Sequence, residues 1–321
     1  MRARRAAGAV ARTDHPMAAG RIHQRGRGGR LIGSRRTRRP TCCAATKVPI
    51  LVNSTAGKMG FATAESVVMA GLELVPVSFS AVAARERVSV EGVPVDVWPI
   101  QERDRVIREV KEKHPGLLVI DFTLPDAVNS NAEFYLEHDL PFVMGTTGGD
   151  REKLLKDVGD GGHYAVIAAN MGKQIVALQA MLQYAAREFP GAFSGYKLDV
   201  VESHQSTKVD TSGTAKDIVL SFNDLGMPCE EEDIRKVREP GQQMSEMKVP
   251  EEYLRGHAFH TYTLTSDDGT VNFQFQHNVC GRRFYAEGSV DAALFLAKQI
   301  ESKSEKKLFD MVDVLNAGAM R

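Results

Sequence analysis

The sequence predicts an α/β protein, with an N-terminal Rossmann-like doubly wound parallel sheet and an α+β C-terminal domain with an open mixed sheet. Three observations lead there. Between residues 48 and 171, short β-rich apolar runs alternate with amphipathic helical stretches, the pattern of a wound parallel sheet. The first run enters the small-residue turn Asn53-Ser-Thr-Ala-Gly-Lys-Met-Gly60, which opens a helix. Beyond Gly172 the pattern changes. Ala258–Ser266 and Thr270–Val279 alternate apolar and polar residues around Asp267-Asp268-Gly269, a hairpin signature.

Taken in order, Val48–Asn53 reads as a buried strand and Phe61–Ala70 as a helix. Leu72–Phe79 reads as the second strand and Val93–Pro99 as the third. Arg103–His114 is helical by charge and spacing, and Gly116–Thr123 is a buried strand. Pro125 suits the first turn of the next helix. Pro141–Thr147 is a strand, Asp150–Val158 a charged helix and Tyr164–Ala169 a further apolar run. Then come the long helix Gly172–Phe189, the strand Lys197–Ser203 and the helix Ser212–Leu225. Val237–Leu254, punctuated by Pro240, Gly241 and Pro250, reads as a loop. Gly288–Ser302 and Lys306–Asn316 read as closing helices that return to the first domain. The expected domains are thus 47–171, completed by 289–321, and 172–288.

The chain has 321 residues, 43 % of them apolar, enough for two domains with real cores. Its formal net charge of zero hides an asymmetry. Residues 1–46 hold twelve of the 41 bases, all Arg, and one of the 41 acids, Asp14. The remainder therefore carries 29 bases and 40 acids, a net charge of −11. A basic, acid-poor segment rich in Ala, Gly, Ser and Thr has the composition of a cleavable organellar transit peptide. Aromatic residues are absent before Phe61, which disfavours a base-stacking nucleic-acid arm. No apolar run reaches the length that spans a bilayer. Past the leader, Cys229 and Cys280 make neither a disulfide framework nor a CxxC zinc pair, so no metal is expected.

The turn Ser54, Thr55, Ala56, Gly57, Lys58, Met59, Gly60 matches G-x-x-G-x-x-G with Ser54 replacing the first glycine. Placed between strand and helix, it offers N–H groups to a pyrophosphate. The P-loop reading fails, because Lys58 is followed by Met59 and not by Ser or Thr. NAD-specific sites usually end the second strand on an acid; here Val77-Ser-Phe-Ser80 ends without one, and Arg85 and Arg87 follow. That favours NADPH, with NADH possible. Gly145-Thr146-Thr147-Gly148 and Ala168-Ala169-Asn170-Met171 also end strands, where parallel sheets host ligands.

Residues 202–215 concentrate polar groups between a strand and a helix. His204 titrates near neutrality when unperturbed, and Lys208 is a point charge able to give up a proton. Ser212, Gly213 and Thr214 open a helix whose free N–H groups suit a carboxylate. No second His or Cys stands at zinc-ligand spacing in this loop.

The loop Val201-Glu-Ser-His-Gln-Ser-Thr-Lys-Val-Asp-Thr-Ser-Gly-Thr-Ala215 resembles the signature of the dihydrodipicolinate reductase (4-hydroxy-tetrahydrodipicolinate reductase) family. Asp121-Phe-Thr-Leu-Pro-Asp126, Gly145-Thr-Thr-Gly148 and Ala168-Ala-Asn-Met171 resemble further elements of it, in the same order. The likeness covers most of residues 48–300 and is nearest to the plant and algal branch, in keeping with a plastid leader and a stromal destination. It implies an NAD(P)H-dependent reductase of the diaminopimelate route to lysine, acting on a small dicarboxylate and assembling as a dimer or tetramer. It implies His204 as acid/base and Lys208 as proton donor. Ser212, Gly213, Thr214, Gln205 and Arg282 fall on the substrate side. Asp121, Phe122, Thr123, Gly145, Thr146, Thr147, Ala168, Ala169, Asn170 and Met171 fall on the cofactor side, with the turn from Ser54. Two departures stand out: bacterial members have His-His where this chain has His204-Gln205, and Ser54 replaces a glycine. The competing readings are a semialdehyde dehydrogenase, which needs a nucleophilic cysteine, and a non-catalytic NADP(H) sensor.

Overall fold

The computed structural model describes residues 48–81 and 84–318. The leader expected over residues 1–46 and its cleavage site lie outside the described residues.

The described chain begins with β1 (Pro49–Val52), α1 (Lys58–Met69) and β2 (Glu73–Leu74). It continues through β3 (Val77–Ser80), β4 (Glu86–Val90), β5 (Val93–Pro99), α2 (Arg103–Lys113), β6 (Leu118–Asp121), α3 (Val128–Glu137), β7 (Phe142–Met144), α4 (Arg151–Gly161) and β8 (Ala165–Ile167). A long helix, α5 (Lys173–Glu188), leads to β9 (Tyr196–His204), α6 (Gly213–Asp224), β10 (Arg235–Val237), α7 (Pro240–Ser245), β11 (His257–Ser266) and β12 (Asn272–Cys280). The chain closes with α8 (Arg283–Glu301), β13 (Leu308–Phe309) and α9 (Met311–Asn316).

Three sheets organise these elements. Six strands lie in the order β13-β8-β7-β6-β1-β2, all neighbours parallel. Strand order reverses at β1 and β6, so the switch-point crevice opens beyond their carboxyl ends. A four-stranded sheet runs β10-β9-β11-β12, and a three-stranded one β3-β5-β4. Ile50, Val52, Ile120, Val143 and Val166 point to one face of the parallel sheet, packed beneath α1 and α8. Leu51, Val119, Phe142 and Met144 point to the other, with α2 and α3. This alternation of buried residues on both faces is what a parallel sheet requires. Val200, Tyr262 and Leu264 of the second sheet pack on Ile218 and Phe222 of α6.

Four local readings are corrected. Leu72–Phe79 is two strands in two sheets, because Pro76 has no N–H to continue the β1 ladder. β4 is unforeseen; it pairs with β5 across Glu91-Gly92, both at positive φ (47° and 82°), a tight hairpin turn. The supposed loop 237–254 contains α7, whose Pro240 occupies the first turn and whose Glu239 side chain accepts from Gln242 N–H at 2.7 Å. Finally, 306–316 is β13 followed by α9, and β13 extends the parallel sheet beside β8.

α8 returns across α1 and the start of α5. A Cβ on Gly288 would lie 1.8 Å from the Met171 carbonyl oxygen, so only glycine permits that approach. One turn further on, buried Asp291 pairs with buried Lys173. Removing one partner leaves an uncompensated charge inside. Asp291→Ala is expected to destabilise by about 3–5 kcal/mol in urea unfolding; a loss below 1 kcal/mol would show the pair to be dispensable.

Candidate active site

The turn after β1 is shaped by close backbone approach. Ser54 sits at φ 58°, the left-handed region where the family pattern has glycine. Its N–H donates to Phe79 O at 3.2 Å, and its carbonyl accepts from Gly57 N–H at 2.8 Å. A Cβ on Gly60 would lie 2.1 Å from Ser54 O, so α1 can begin there only with glycine.

Behind the turn lies a buried polar hub. One Asp121 carboxylate oxygen accepts from Thr123 N–H at 2.8 Å and Thr123 Oγ1 at 2.7 Å. The other accepts from Asn131 Nδ2 at 3.0 Å and from the Tyr135 hydroxyl. Asn53 Nδ2 donates to that same hydroxyl, while Asn53 Oδ1 accepts from Phe79 N–H at 3.2 Å. Burial, then the neighbouring Asp121 carboxylate, drive the Tyr135 phenol well above its ordinary range. Asp121 is fully buried with both carboxylate oxygens engaged, so its side chain shapes the turn from inside the fold. Thr123, by contrast, lines a small cleft of about 110 Å³ with Asn53, Ser54, Ser80 and Arg103.

Arg85 and Arg87 do not serve that cleft. Both pair with Asp96, whose carboxyl is held below its usual range chiefly by the Arg87 hydrogen bond, and Arg85 lies over Trp98. The cation that does line it is Arg103, which sequence reading passed over. Its guanidinium sits 4.4 Å above the Phe134 ring and donates to Asn131 Oδ1 at 3.2 Å, with no carboxylate in ion-pair range among the described residues. Nothing local marks it: α2 carries several arginines, and only the fold selects this one.

A larger cleft, about 680 Å³, brings the strand-end turns to the reacting loop. Thr147, Ala168, Ala169 and Asn170 line it opposite Lys208, Ser212, Gly213 and Thr214. Asn170 ties the sides together, donating to Thr214 Oγ1 at 3.1 Å and accepting from Gly172 N–H at 2.8 Å. Gly145 packs on the Phe122 ring, and Thr146 Oγ1 donates to Thr123 O at 3.1 Å, behind the cleft wall. Met171 is buried in the core. Gln205 is outside the lining; its carbonyl accepts from Lys208 N–H at 2.9 Å. Arg282 is also outside it, at the start of α8 beside Gly256.

The loop 204–212 is held by Glu202 and Arg238. Glu202 is fully buried; Oε1 pairs with Arg238, and Oε2 accepts from Ser212 N–H at 3.0 Å. Arg238 also donates from Nε to Lys208 O at 2.7 Å and from NH2 to Asp210 O at 3.3 Å. Ser212 N–H is therefore already used, and the anion cradle narrows to Gly213, Thr214 and the hydroxyls beside them. Lys208 Nζ pairs with the exposed Asp210 at 2.5 Å.

Antiparallel pairing adds histidines that linear spacing hid. His260 stands opposite Glu202 on β9 and opposite His277 on β12. His204 Nε2 meets His260 Nε2 at 3.0 Å, and His260 Nδ1 meets the Tyr262 hydroxyl at 3.0 Å. Gln243 Nε2 donates to His204 O at 2.6 Å. Burial, reinforced by Arg238 and Lys208, pushes His204 down to about 3, and burial pushes His277 to about 4. His260 is depressed too, first by burial and then by His277 and His204. Glu202, His204 and His260 bring ligand atoms within 4.8 Å of one another, a grouping made by strand pairing that spacing along the loop does not show. Glu202 is committed to Arg238 and Ser212, however, and Arg238 and Lys208 bring positive charge to the group, so the set does not suit a metal ion.

A wound parallel sheet and a second, mixed sheet, with a lysine and a helix N-terminus lining the cleft, define a reductase-like architecture. The chain belongs to the dihydrodipicolinate reductase family. The model for "Dihydrodipicolinate reductase, N-terminus" matches residues 48–171, and that for "Dihydrodipicolinate reductase, C-terminus" matches 174–315. It is 54 % identical over 274 residues to "Probable 4-hydroxy-tetrahydrodipicolinate reductase 1, chloroplastic" of Oryza sativa subsp. japonica, covering 85 % of this chain and 80 % of the relative. It is 52 % identical over 275 residues to 4-hydroxy-tetrahydrodipicolinate reductase 1, chloroplastic, of Arabidopsis thaliana, covering 85 % and 79 %. Among solved structures, a dipicolinate-bound dihydrodipicolinate reductase from Paenisporosarcina sp. TG-14 shares the fold. Its TM-score is 0.56 at 18 % identity, covering 82 % of this chain and 97 % of that one.

Two outcomes follow from this geometry. Gly60→Ala is expected to lower kcat/KM by on the order of 100-fold through displacement of the turn; unchanged kinetics would show that the turn can shift freely. The histidines bind protons more weakly folded than unfolded, so stability present at neutral pH is lost as pH falls below about 6.5 towards the folded values near 4 and 3. The urea midpoint at pH 5 is expected below that at pH 7, with the gap reduced in His277→Phe; an equal gap in that variant would acquit His277.

Proposed function

We propose that the chain reduces 4-hydroxy-tetrahydrodipicolinate to tetrahydrodipicolinate with NADPH, a step of the diaminopimelate route to lysine. The observation that carries this reading is the large cleft, where the turns ending β7 and β8 face Lys208 and the first turn of α6. Family membership and the relatives' names support the same activity.

The residues fit a dinucleotide. The turn from Ser54 to Gly60 excludes side-chain bulk where a pyrophosphate would approach, and the N–H groups opening α1 point to it. Ser80 and Arg103 border the adenosine end, where an arginine and the absence of an acid favour a 2′-phosphate; NADH serves as the weaker donor. When bound, the reduced nicotinamide supplies hydride.

The substrate carries two ring carboxylates. One rests on the Gly213 and Thr214 N–H groups, with the Ser212 and Thr214 hydroxyls alongside. Replacing the hydroxyl by hydrogen consumes one hydride and one proton and releases water. Lys208 delivers the proton, because its ammonium lines the cleft and its Asp210 partner is exposed. His204, held near 3, is neutral at physiological pH and acts by hydrogen bonding. Thr147, Ala168 and Ala169 present small surfaces that exclude water around the reacting ring.

A semialdehyde dehydrogenase is disfavoured: Cys229 is buried, both described cysteine thiols are raised by burial, and neither lines the cleft. A non-catalytic sensor would not need Lys208 beside an anion cradle. The protein functions in the chloroplast stroma after removal of its basic leader, in line with its chloroplastic relatives. It assembles as a homo-oligomer through its second sheet, whose edge strand β12 leaves Phe273 exposed.

Lys208→Ala is expected to lower kcat by roughly 10²–10⁴, with NADPH binding retained; near-normal turnover would sink the assignment. Arg103→Ala is expected to cut the NADPH-to-NADH ratio of kcat/KM by about 10- to 100-fold, the worth of a charged hydrogen bond. An unchanged ratio would remove Arg103 from cofactor choice.

A further inference from the structure

The hydrogen bonds behind His204 can be filled in essentially one way. Tyr262 is buried, and among the described residues its hydroxyl meets no acceptor other than His260 Nδ1, at 3.0 Å. If the phenol donates there, His260 carries its proton on Nε2 and donates to His204 Nε2, 3.0 Å away. His204 must then hold its own proton on Nδ1. That proton has a use: the ring also hydrogen-bonds to the His257 backbone. The opposite filling would strand the phenol hydrogen without an acceptor in the interior, an arrangement folded proteins avoid. Nor can His260 readily turn over to exchange its nitrogens. Its ring is stacked on His277 at 4.6 Å between centroids, and His204, Glu202 and Tyr262 lie against it.

We propose that Tyr262 and His260 are positioning residues that lock His204 in its Nδ1–H tautomer, so that the end of β9 and the turn to Lys208 keep one arrangement against the cleft. The chain of contacts is continuous. His204 ends β9, its carbonyl is held by Gln243, and Lys208 follows within a turn closed on Gln205 O. An ambiguous ring at this point would give the loop two sets of hydrogen-bond partners and Lys208 two positions. The effect on turnover rests on the reductase reading above; the tautomer does not.

The test uses the whole chain labelled with ¹⁵N-histidine and long-range ¹H–¹⁵N correlation near pH 7.5, with signals assigned from His204→Gln and His260→Gln. His204 is expected as Nδ1–H and His260 as Nε2–H. In Tyr262→Phe, His204 is expected to become a mixture of tautomers, while kcat falls roughly tenfold and KM for NADPH stays unchanged. An Nε2–H tautomer at His204 in the parent protein overturns the proposal, as does a Tyr262→Phe variant with an unaltered His204 signature. If that variant fails to fold, the parent spectrum alone decides. The expected tautomers in a protein that does not turn over 4-hydroxy-tetrahydrodipicolinate would refute the proposed activity and leave the lock standing.

Discussion

The candidate site depends on one buried carboxylate. Glu202 lies without solvent contact on β9, and its two oxygens join three segments: Arg238 after β10, Ser212 at the head of α6, and its own strand. A buried ion pair contributes little net stability, because desolvation offsets attraction. What it does here is geometric. Arg238, drawn in by Glu202, also donates from Nε to the Lys208 carbonyl and from NH2 to the Asp210 carbonyl, so the loop is fastened by its backbone and its side chains stay available. Hydrogen bonding Ser212 N–H directly to the carboxylate orients α6 and leaves the next two N–H groups aimed at the cleft.

The two ligand regions are built on different principles. At the nucleotide end, shape comes from backbone. Ser54 adopts a left-handed conformation that costs a non-glycine residue about 1–2 kcal/mol. Two backbone hydrogen bonds and the Asn53–Tyr135–Asp121 network hold it there. At the substrate end, shape comes from side chains drawn from four strands and two helix starts. A substitution in the first region acts by steric exclusion, and one in the second by leaving a buried partner unsatisfied.

This difference explains what was legible in the sequence. The parallel sheet was readable because each strand, turn and helix is a local pattern, and the turns at Ser54, Gly145 and Ala168 announce themselves by small residues at strand ends. Lys208 and the Ser212–Thr214 helix start were readable for the same reason. Arg238, His260 and Tyr262 were not. They reach the loop through strand register, and a one-residue slip of β11 would send His260 to the opposite face. Pro76 was visible, but its consequence, the transfer of the chain to a second sheet, depends on which strand lies alongside. Arg85 and Arg87 misled because proximity in sequence to the second strand says nothing of Asp96 on β5, with which both pair.

On the proposed reading, the charges of the cleft let Lys208 sit beside an acid and still give up a proton. Glu202 is buried and its partner Arg238 is half-buried and held by several hydrogen bonds, whereas Lys208 pairs with Asp210, an acid that is 74 % exposed at its side chain. An exposed pair is worth at most about 1 kcal/mol, so it holds the ammonium in place without committing it. A dicarboxylate entering the cleft offers Lys208 a competing anion in a region shielded by Thr147, Ala168 and Asn170, where the same attraction is stronger. The Glu202–Arg238 pair therefore sets the frame, and on the proposed reading the exposed pair yields to the ligand. Reversing those burials would fasten the lysine and loosen the loop, and the site would lose both its order and its proposed proton donor.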